Sequence, residues 1–160
     1  MRKSFKKSLT VTLLVTLMSM MFALEVGADD TKVSGALTTP PPKEEIKVTE
    51  INPSFVYLFD GISTITDQGN LKVRVNATTV AYETVSSLGA DVSIQRWTGK
   101  DWITIKSTVL STTLSDNFTG KADWDVTKGY YYRGMSNHWI KKGDIKEQFV
   151  TYTSSILITK

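Results

Sequence analysis

The chain of 160 residues contains no cysteine. This absence excludes a disulfide framework, a zinc–thiolate site, thiol redox chemistry and a cysteine nucleophile. A small exported domain without disulfides depends on its hydrophobic core alone for stability.

An excess of charge of one sign is also missing once the N-terminus is set apart. The whole chain has 19 Lys and Arg against 16 Asp and Glu, but residues 1–28 hold four of those cations and one of those acids. The remaining 15 cations and 15 acids give a net charge of zero. The sequence therefore gives no electrostatic reason to expect binding to nucleic acid or to anionic membranes.

Only one long apolar run occurs, and it lies near the N-terminus. Four cations precede an apolar stretch from Leu9 to Leu24, which ends at Val26-Gly27-Ala28. The run is shorter than the roughly 20 residues that a membrane span needs, and small residues follow it. We expect residues 1–28 to be a signal peptide cleaved after Ala28; the alternative is an uncleaved anchor. A lipoprotein anchor is excluded because there is no cysteine.

Residues 29–51 are predicted to be a flexible linker, and residues 52–160 a single folded domain. The linker contains Pro40-Pro41-Pro42 among polar residues and has too little apolar surface to fold alone. From residue 52 onward, short runs with apolar residues at every second position alternate with turn residues, as in Leu71–Ala77. The turn Thr98–Asp101 between two such runs predicts a β-hairpin. The best helix candidate, Val80–Leu88, is weakened by its Thr and Ser residues.

This pattern predicts an all-β fold, an immunoglobulin-like β-sandwich of about seven antiparallel strands. The hairpin resembles the central hairpin of bacterial extracellular immunoglobulin-like or fibronectin-like domains, in which a Gly turn precedes a Trp, here Trp102. Gly129–Arg133 resembles the penultimate strand of those domains, in which the hydroxyl of a tyrosine closes the preceding corner; Gly134 departs from the apolar residue expected there. The chain is also similar to small secreted proteins of unknown function from Gram-positive bacteria, and that resemblance implies no catalytic residues.

Motifs of catalysis and metal binding are scarce. His138 is the only histidine; Ser136 is near it, but the chain has no Gly-x-Ser-x-Gly nucleophile elbow. Asp123 and Asp125, with Asp116 and Asn117 close by, could offer oxygens to calcium, but they supply fewer than the six or more that calcium takes. No phosphate-binding loop, dinucleotide fingerprint or assignable pair of catalytic carboxylates occurs. We therefore expect no catalytic residue, no metal and no cofactor.

Aromatic residues are the most informative feature of the domain. Alternation along a strand places Tyr130 and Tyr132 on one face and Tyr131, Arg133 and Trp139 on the other, and both faces of one strand cannot be the inner face. An exposed aromatic group marks a binding surface, by stacking on sugars or anchoring a protein; the alternative is that loops or the linker cover it. The candidate ligand-binding residues are Trp97, Trp102, Tyr131, Arg133 and Trp139.

The sequence thus predicts a secreted, non-enzymatic binding module that acts outside the cell or at the cell wall. Its expected partner is a cell-wall polysaccharide or an extracellular protein, with membrane contact only through the signal peptide before cleavage. Three alternatives remain open: a secreted toxin or bacteriocin-like protein, a small extracellular hydrolase, and self-assembly into a surface matrix through an edge strand such as Ser155–Thr159, which Lys160 at its end discourages.

Overall fold

A computed structural model of the chain describes residues 32–43 and 54–160, and the regular secondary structure in these residues consists of β-strands alone. The all-β prediction is therefore confirmed. The strands are β1 (Leu58–Asp67), β2 (Lys72–Trp97), β3 (Trp102–Asp125), β4 (Tyr131–Lys142), β5 (Ile145–Tyr152) and β6 (Ile156–Leu157). The described residues contain no helix long and apolar enough to cross a membrane. The predicted signal peptide and residues 29–31 and 44–53 lie outside the described part.

All six strands belong to one antiparallel sheet that is organised around β2. β3 pairs with β2 along nearly its whole length, from Lys72↔Asp125 to Trp97↔Trp102. The other edge of β2 is shared: its first half pairs with β1 and its second half with β4. β5 and β6 then pair with β4.

The sheet curls at the middle of β2. Between Val80 and Val85 the register with β3 shifts, and residues 82–84 in this stretch are exposed. A bulge of this kind bends a strand and increases its twist. The curl brings the first half of β2 over β4, so that a Cβ on Gly134 would lie 2.8 Å from the side chain of Val75. Gly134, where the resemblance led us to expect an apolar residue, permits this close approach.

The immunoglobulin-like sandwich is not confirmed, because hydrogen bonds join the six strands into a single curled sheet. The predicted hairpin around Thr98–Asp101 is present, and so is the strand over Leu71–Ala77, within β2. The helix candidate Val80–Leu88 is also part of β2. Two long strands that run through both halves of the sheet replace several shorter strands of the predicted sandwich.

The concave side of the curl holds the hydrophobic core. Its largest cluster of buried side chains comprises Leu58, Val75, Ala77, Ala81, Val85, Leu88, Ala90, Val92, Phe118, Ala122, Ile140 and Phe149. These residues come from all of the five longer strands, so the core depends on the curl. A smaller cluster surrounds Tyr132, whose hydroxyl donates to the carbonyl of Thr127 (2.8 Å) and accepts from its N–H (3.0 Å). Burial raises the pKa of this tyrosine.

A buried carboxylate attaches the start of β1 to β5. Glu147 is 8% exposed and accepts hydrogen bonds from three consecutive backbone N–H groups, those of Val56 (2.6 Å), Tyr57 (2.9 Å) and Leu58 (2.7 Å). Burial alone raises the pKa of a carboxylate, but the three hydrogen bonds outweigh it and hold the pKa of Glu147 below its ordinary value. The ionised form of Glu147 therefore anchors the start of β1 to β5.

Residues 32–43, in the predicted linker, contact one end of the sheet. The N–H of Leu37 donates to the carbonyl of Gly129 (2.7 Å), and the indole N–H of Trp97 donates to the carbonyl of Thr39 (3.1 Å). These contacts cover the end of the sheet at which the β2–β3 hairpin turns.

Candidate functional site

The convex side of β2 and β4 carries a continuous set of polar and aromatic side chains, which we call the outer face. On β2 the outer face is formed by Asp91, Ser93 and Gln95. These residues alternate along the strand with Ala90, Val92 and Ile94, which point into the core together with Leu88. The strand register places Gln95 beside Arg133, Ser93 beside Met135, Asp91 beside Asn137 and Gly89 beside Trp139. The β4 residues on this face are half-buried.

At one end of the outer face, the guanidinium of Arg133 lies between two aromatic rings. Its central carbon is 4.5 Å from the ring centroid of Trp102 and 4.5 Å from that of Tyr152. Its Nε donates to the side-chain oxygen of Gln95 at 2.8 Å. Gln95 in turn donates to Thr104 at 3.1 Å. Stacking on both sides and the hydrogen bond to Gln95 fix the guanidinium plane of Arg133.

At the other end, Asp91 orients Trp139. The indole N–H of Trp139 donates to one carboxylate oxygen of Asp91 at 3.0 Å, and the amide of Asn137 approaches the other oxygen at 3.5 Å. Arg133 and Trp139 are six residues apart on β4, which corresponds to about 20 Å along the strand. The outer face thus has two fixed aromatic groups, separated by Met135 and Ser93.

The structure places three of the five candidate binding residues on one face, two at one end and one at the other. Trp102, Arg133 and Trp139 lie on the outer face, half-buried. Trp97 and Tyr131 are only 6% and 8% exposed. Trp97 packs against Trp102, with ring centroids 5.4 Å apart. The buried ring of Trp97 is therefore in a position to hold the ring of Trp102 in place. The part taken by each of the five in ligand binding stays a prediction.

Sequence reasoning did not find Tyr152, Gln95, Asp91 or Asn137 as members of this face. The strand register that places them beside Arg133 and Trp139 joins positions about 20 to 50 residues apart. The only local signal was the alternation of Phe149, Thr151 and their neighbours in β5, which places Tyr152 on the face opposite to the core.

His138, the candidate for catalysis, is completely buried in the core. Its Nδ1 lies 2.8 Å from the hydroxyl of Thr79, and that hydroxyl donates to the carbonyl of Gly89 at 3.0 Å. Because the one hydroxyl proton of Thr79 is thereby used, Nδ1 carries the ring proton. Nε2 then accepts from the hydroxyl of Thr151 at 2.9 Å.

The hydroxyl of Ser63 completes this chain of hydrogen bonds. It lies 2.8 Å from the hydroxyl of Thr151 and 3.3 Å from Nε2 of His138. Burial lowers the pKa of His138 to about 4, so the ring is neutral at neutral pH. In a catalytic triad a carboxylate orients the histidine, whereas hydroxyl and carbonyl groups orient His138. Ser136, its neighbour in sequence, takes no part in this chain of hydrogen bonds.

Two of the acids considered for calcium lie beside cations. Asp123 forms a two-pronged ion pair with Arg74, with N–O distances of 2.7 and 2.8 Å, and Asp125 lies 3.7 Å from Lys72. The hydrogen bond from Arg74 lowers the pKa of Asp123. Within residues 32–43 and 54–160, no group of three or more His, Asp or Glu side chains is placed to hold a metal ion.

Comparisons with known proteins add little. No protein family and no curated protein matches the chain. Among solved structures, a protein from Archaeoglobus fulgidus is similar with a TM-score of 0.34 and 13% sequence identity, over 62% of this chain and 96% of its own length. A similarity of this size carries no conclusion about function.

Proposed function

We propose that the protein is an exported, non-enzymatic binding module whose outer face binds a polysaccharide of the cell wall. The observation that carries this proposal is the pair of fixed aromatic groups on one face, Arg133 between Trp102 and Tyr152 at one end and Trp139 on Asp91 at the other.

The chemistry of the face suits a sugar chain. Aromatic rings offer flat apolar surfaces to the C–H faces of sugar rings, while planar amide, carboxylate and guanidinium groups match hydroxyls in pairs of hydrogen bonds. Asn137 and Asp91, which are half-buried, supply such groups next to Trp139, whereas Gln95, 8% exposed, holds Arg133 in position. The face is convex and about 20 Å long between its two aromatic ends, which suits an extended polymer better than a compact small molecule.

Export is the second part of the proposal, and it rests on the predicted signal peptide and the absence of cysteine. A third part of the proposal is that this domain is related to bacterial immunoglobulin-like domains. The hydrogen bonds between Tyr132 and Thr127 support it, because a tyrosine hydroxyl bonded to backbone a few residues upstream is a hallmark of that architecture. A non-enzymatic role is supported by the burial of His138 in a chain of hydroxyl groups.

Co-sedimentation with isolated Gram-positive cell walls tests the proposal. We expect saturable pelleting of the purified protein, inhibited by free wall polysaccharide. Trp139→Ala or Trp102→Ala should weaken it about tenfold or more if a sugar ring stacks as strongly as a nucleic-acid base, for which stacking on one aromatic ring is worth on the order of 1–3 kcal/mol. Tyr82→Ala is the matched control, because Tyr82 is 64% exposed and lies outside this face.

Absence of pelleting would overturn the polysaccharide proposal. Pelleting that survives protease treatment of the walls and responds to the outer-face variants supports it. Pelleting that protease treatment abolishes would show that the partner is a wall protein.

A further inference from the structure

The carboxylate of Asp91 lies at the edge of the Trp139 ring on the outer face. Gly89, the cross-strand partner of Trp139, has no side chain, and Asp91 is the diagonal neighbour of Trp139. The indole of Trp139 can therefore lie across the buried Gly89 and donate its N–H to Asp91 at 3.0 Å. A sugar ring stacked on the exposed part of this indole would have the equatorial hydroxyls of one edge beside the carboxylate.

The two polar side chains beside Trp139 offer acceptors to such hydroxyls. An ionised carboxylate only accepts hydrogen bonds, and it has about four sites for them. Trp139 takes one site of Asp91, and the amide of Asn137 approaches the other oxygen at 3.5 Å. The sites that remain suit two donating hydroxyls, because adjacent hydroxyls of a sugar match the two oxygens of a carboxylate in a pair of hydrogen bonds.

The immediate neighbours of Asp91 on the outer face are uncharged. Its cross-strand partners are Val109 on β3 and Asn137 on β4, and Gly89 and Ser93 flank it on β2. Val109 is 64% exposed. The carboxylate therefore lies between an indole ring on one side and an aliphatic side chain on the other.

The cations of the outer face lie toward its two ends. Arg133 and Lys141 are each four residues from Asn137 on β4, which corresponds to about 13 Å along the strand. Lys146 is the cross-strand partner of Lys141 and lies at the same end. A phosphate or carboxylate group of a ligand beside Trp139 would thus meet the like charge of Asp91, and like charges in contact oppose binding.

We propose that Asp91 and Asn137, beside Trp139, form a subsite for two adjacent hydroxyls of an uncharged sugar residue, so that the polymer on the outer face is a neutral polysaccharide. We call these three residues the hydroxyl subsite. The inference rests on the proposed function and narrows its ligand from any wall polysaccharide to one without phosphate or uronate groups at this place. Val109 supplies a second apolar surface to the C–H groups of the bound polymer.

The binding of two wall fractions tests the inference through Asp91→Asn. Anion exchange separates solubilised wall polysaccharide into a neutral fraction and a fraction that carries phosphate or uronate groups. Isothermal titration calorimetry then measures the binding of each fraction to the full chain, as processed by its host. We expect the neutral fraction to bind and Asp91→Asn to weaken its binding about tenfold, because hydrogen bonds to charged groups are about twice as strong as neutral ones. With an anionic ligand, the same variant would strengthen binding, because it removes a repulsive charge.

Two further variants separate contact with the sugar from other effects of the substitution. Asp144→Asn is the matched control, because it removes the same charge at an exposed position in the turn between β4 and β5. Asn137→Ala leaves the hydrogen bond between Trp139 and Asp91 in place, so it should weaken binding of the neutral fraction while the indole signal of Trp139 in the free protein stays unshifted. Circular dichroism melting confirms that each variant is folded.

Periodate oxidation tests the hydroxyl pair on the side of the ligand. Periodate cleaves the bond between two carbon atoms that carry adjacent hydroxyls, so we expect the neutral fraction to lose its binding after oxidation and reduction. Binding that survives this treatment unchanged overturns the inference, and so does a neutral fraction that binds Asp91→Asn as tightly as the unaltered protein.

Binding of the anionic fraction alone also overturns the inference. If Trp139→Ala abolishes that binding, the proposed function still holds, with an anionic polymer as the ligand. If neither fraction binds, the proposed function itself fails together with the inference.

Discussion

At the scale of single residues, the burial of His138 makes the stability of the fold depend on pH. His138 lies inside the core, and its ring is bonded only to the hydroxyls of Thr79, Thr151 and Ser63. Burial disfavours the charged ring more than the nearby carboxylate of Asp60 favours it, which is why the pKa of His138 falls to about 4 from 6.5.

The first prediction concerns acid destabilisation by His138. Because its folded pKa is below the unfolded value, the unfolded state binds more protons and stability falls as the pH drops below about 6.5. Between pH 7.5 and pH 5 the loss is about 2 kcal/mol. Urea unfolding followed by tryptophan fluorescence across this range measures it. His138 is the only histidine, so a flat profile between pH 7.5 and pH 5 would contradict this account.

The second prediction concerns Glu147, which accepts three backbone N–H groups at the start of β1. Glu147→Gln removes the charge and turns an NH₂ group toward N–H donors, so we expect a loss of about 2 kcal/mol in the free energy of unfolding. Glu83→Gln is the control, because Glu83 forms an exposed ion pair with Lys142 and should cost less than about 1 kcal/mol. Equal losses of unfolding free energy in the two variants would show that the backbone contacts of Glu147 stabilise the fold no more than an exposed ion pair does.

At the scale of elements, β2 determines the architecture, and its length explains where sequence reasoning succeeded and failed. Alternation of apolar residues and a glycine turn are local signals, so the strand Leu71–Ala77 and the hairpin around Thr98–Asp101 could be predicted. The stretch 82–84 breaks the alternation because it is exposed at the curl, and a local reading interprets such a break as a loop or a weak helix.

The outer face shows the same division. Alternation along β4 separates Arg133 and Trp139 from Tyr132, and this could be predicted without a structure. The burial of Trp97 depends on Thr39, 58 residues away, and the stacking of Tyr152 on Arg133 depends on the pairing of β4 with β5. The local alternation of apolar and polar residues carries no information about contacts between residues so distant in sequence.

The third prediction concerns the close approach of β2 and β3 beside the curl. A Cβ on Gly89 would lie 2.2 Å from the backbone oxygen of Leu110, which cannot move without breaking the strand pairing. We expect Gly89→Ala to lower the free energy of unfolding by about 3 kcal/mol. Ser111→Ala is the control, since Ser111 is the exposed partner of Gly89 across the strands and already has a Cβ. Equilibrium urea unfolding of both variants makes the comparison, and a neutral Gly89→Ala would refute the tight approach.

At the scale of the whole molecule, the curl gives the sheet two surfaces of different composition. The concave side holds the apolar core and the buried hydroxyl chain of His138. The convex side presents the two fixed aromatic groups of the outer face. Residues 29–160 carry a net charge of zero, so the recognition that we propose for the outer face depends on stacking and hydrogen bonding and not on charge attraction.

The most direct test of recognition by the outer face is a nuclear magnetic resonance titration of the ¹⁵N-labelled protein with solubilised wall polysaccharide. The account predicts shifts in the indole signals of Trp102 and Trp139 and in the backbone signals of Arg133 and Asn137, while the indole signal of Trp124, on the opposite side of the sheet, stays in place. Shifts confined to residues outside the outer face, or no shifts at all, would contradict it.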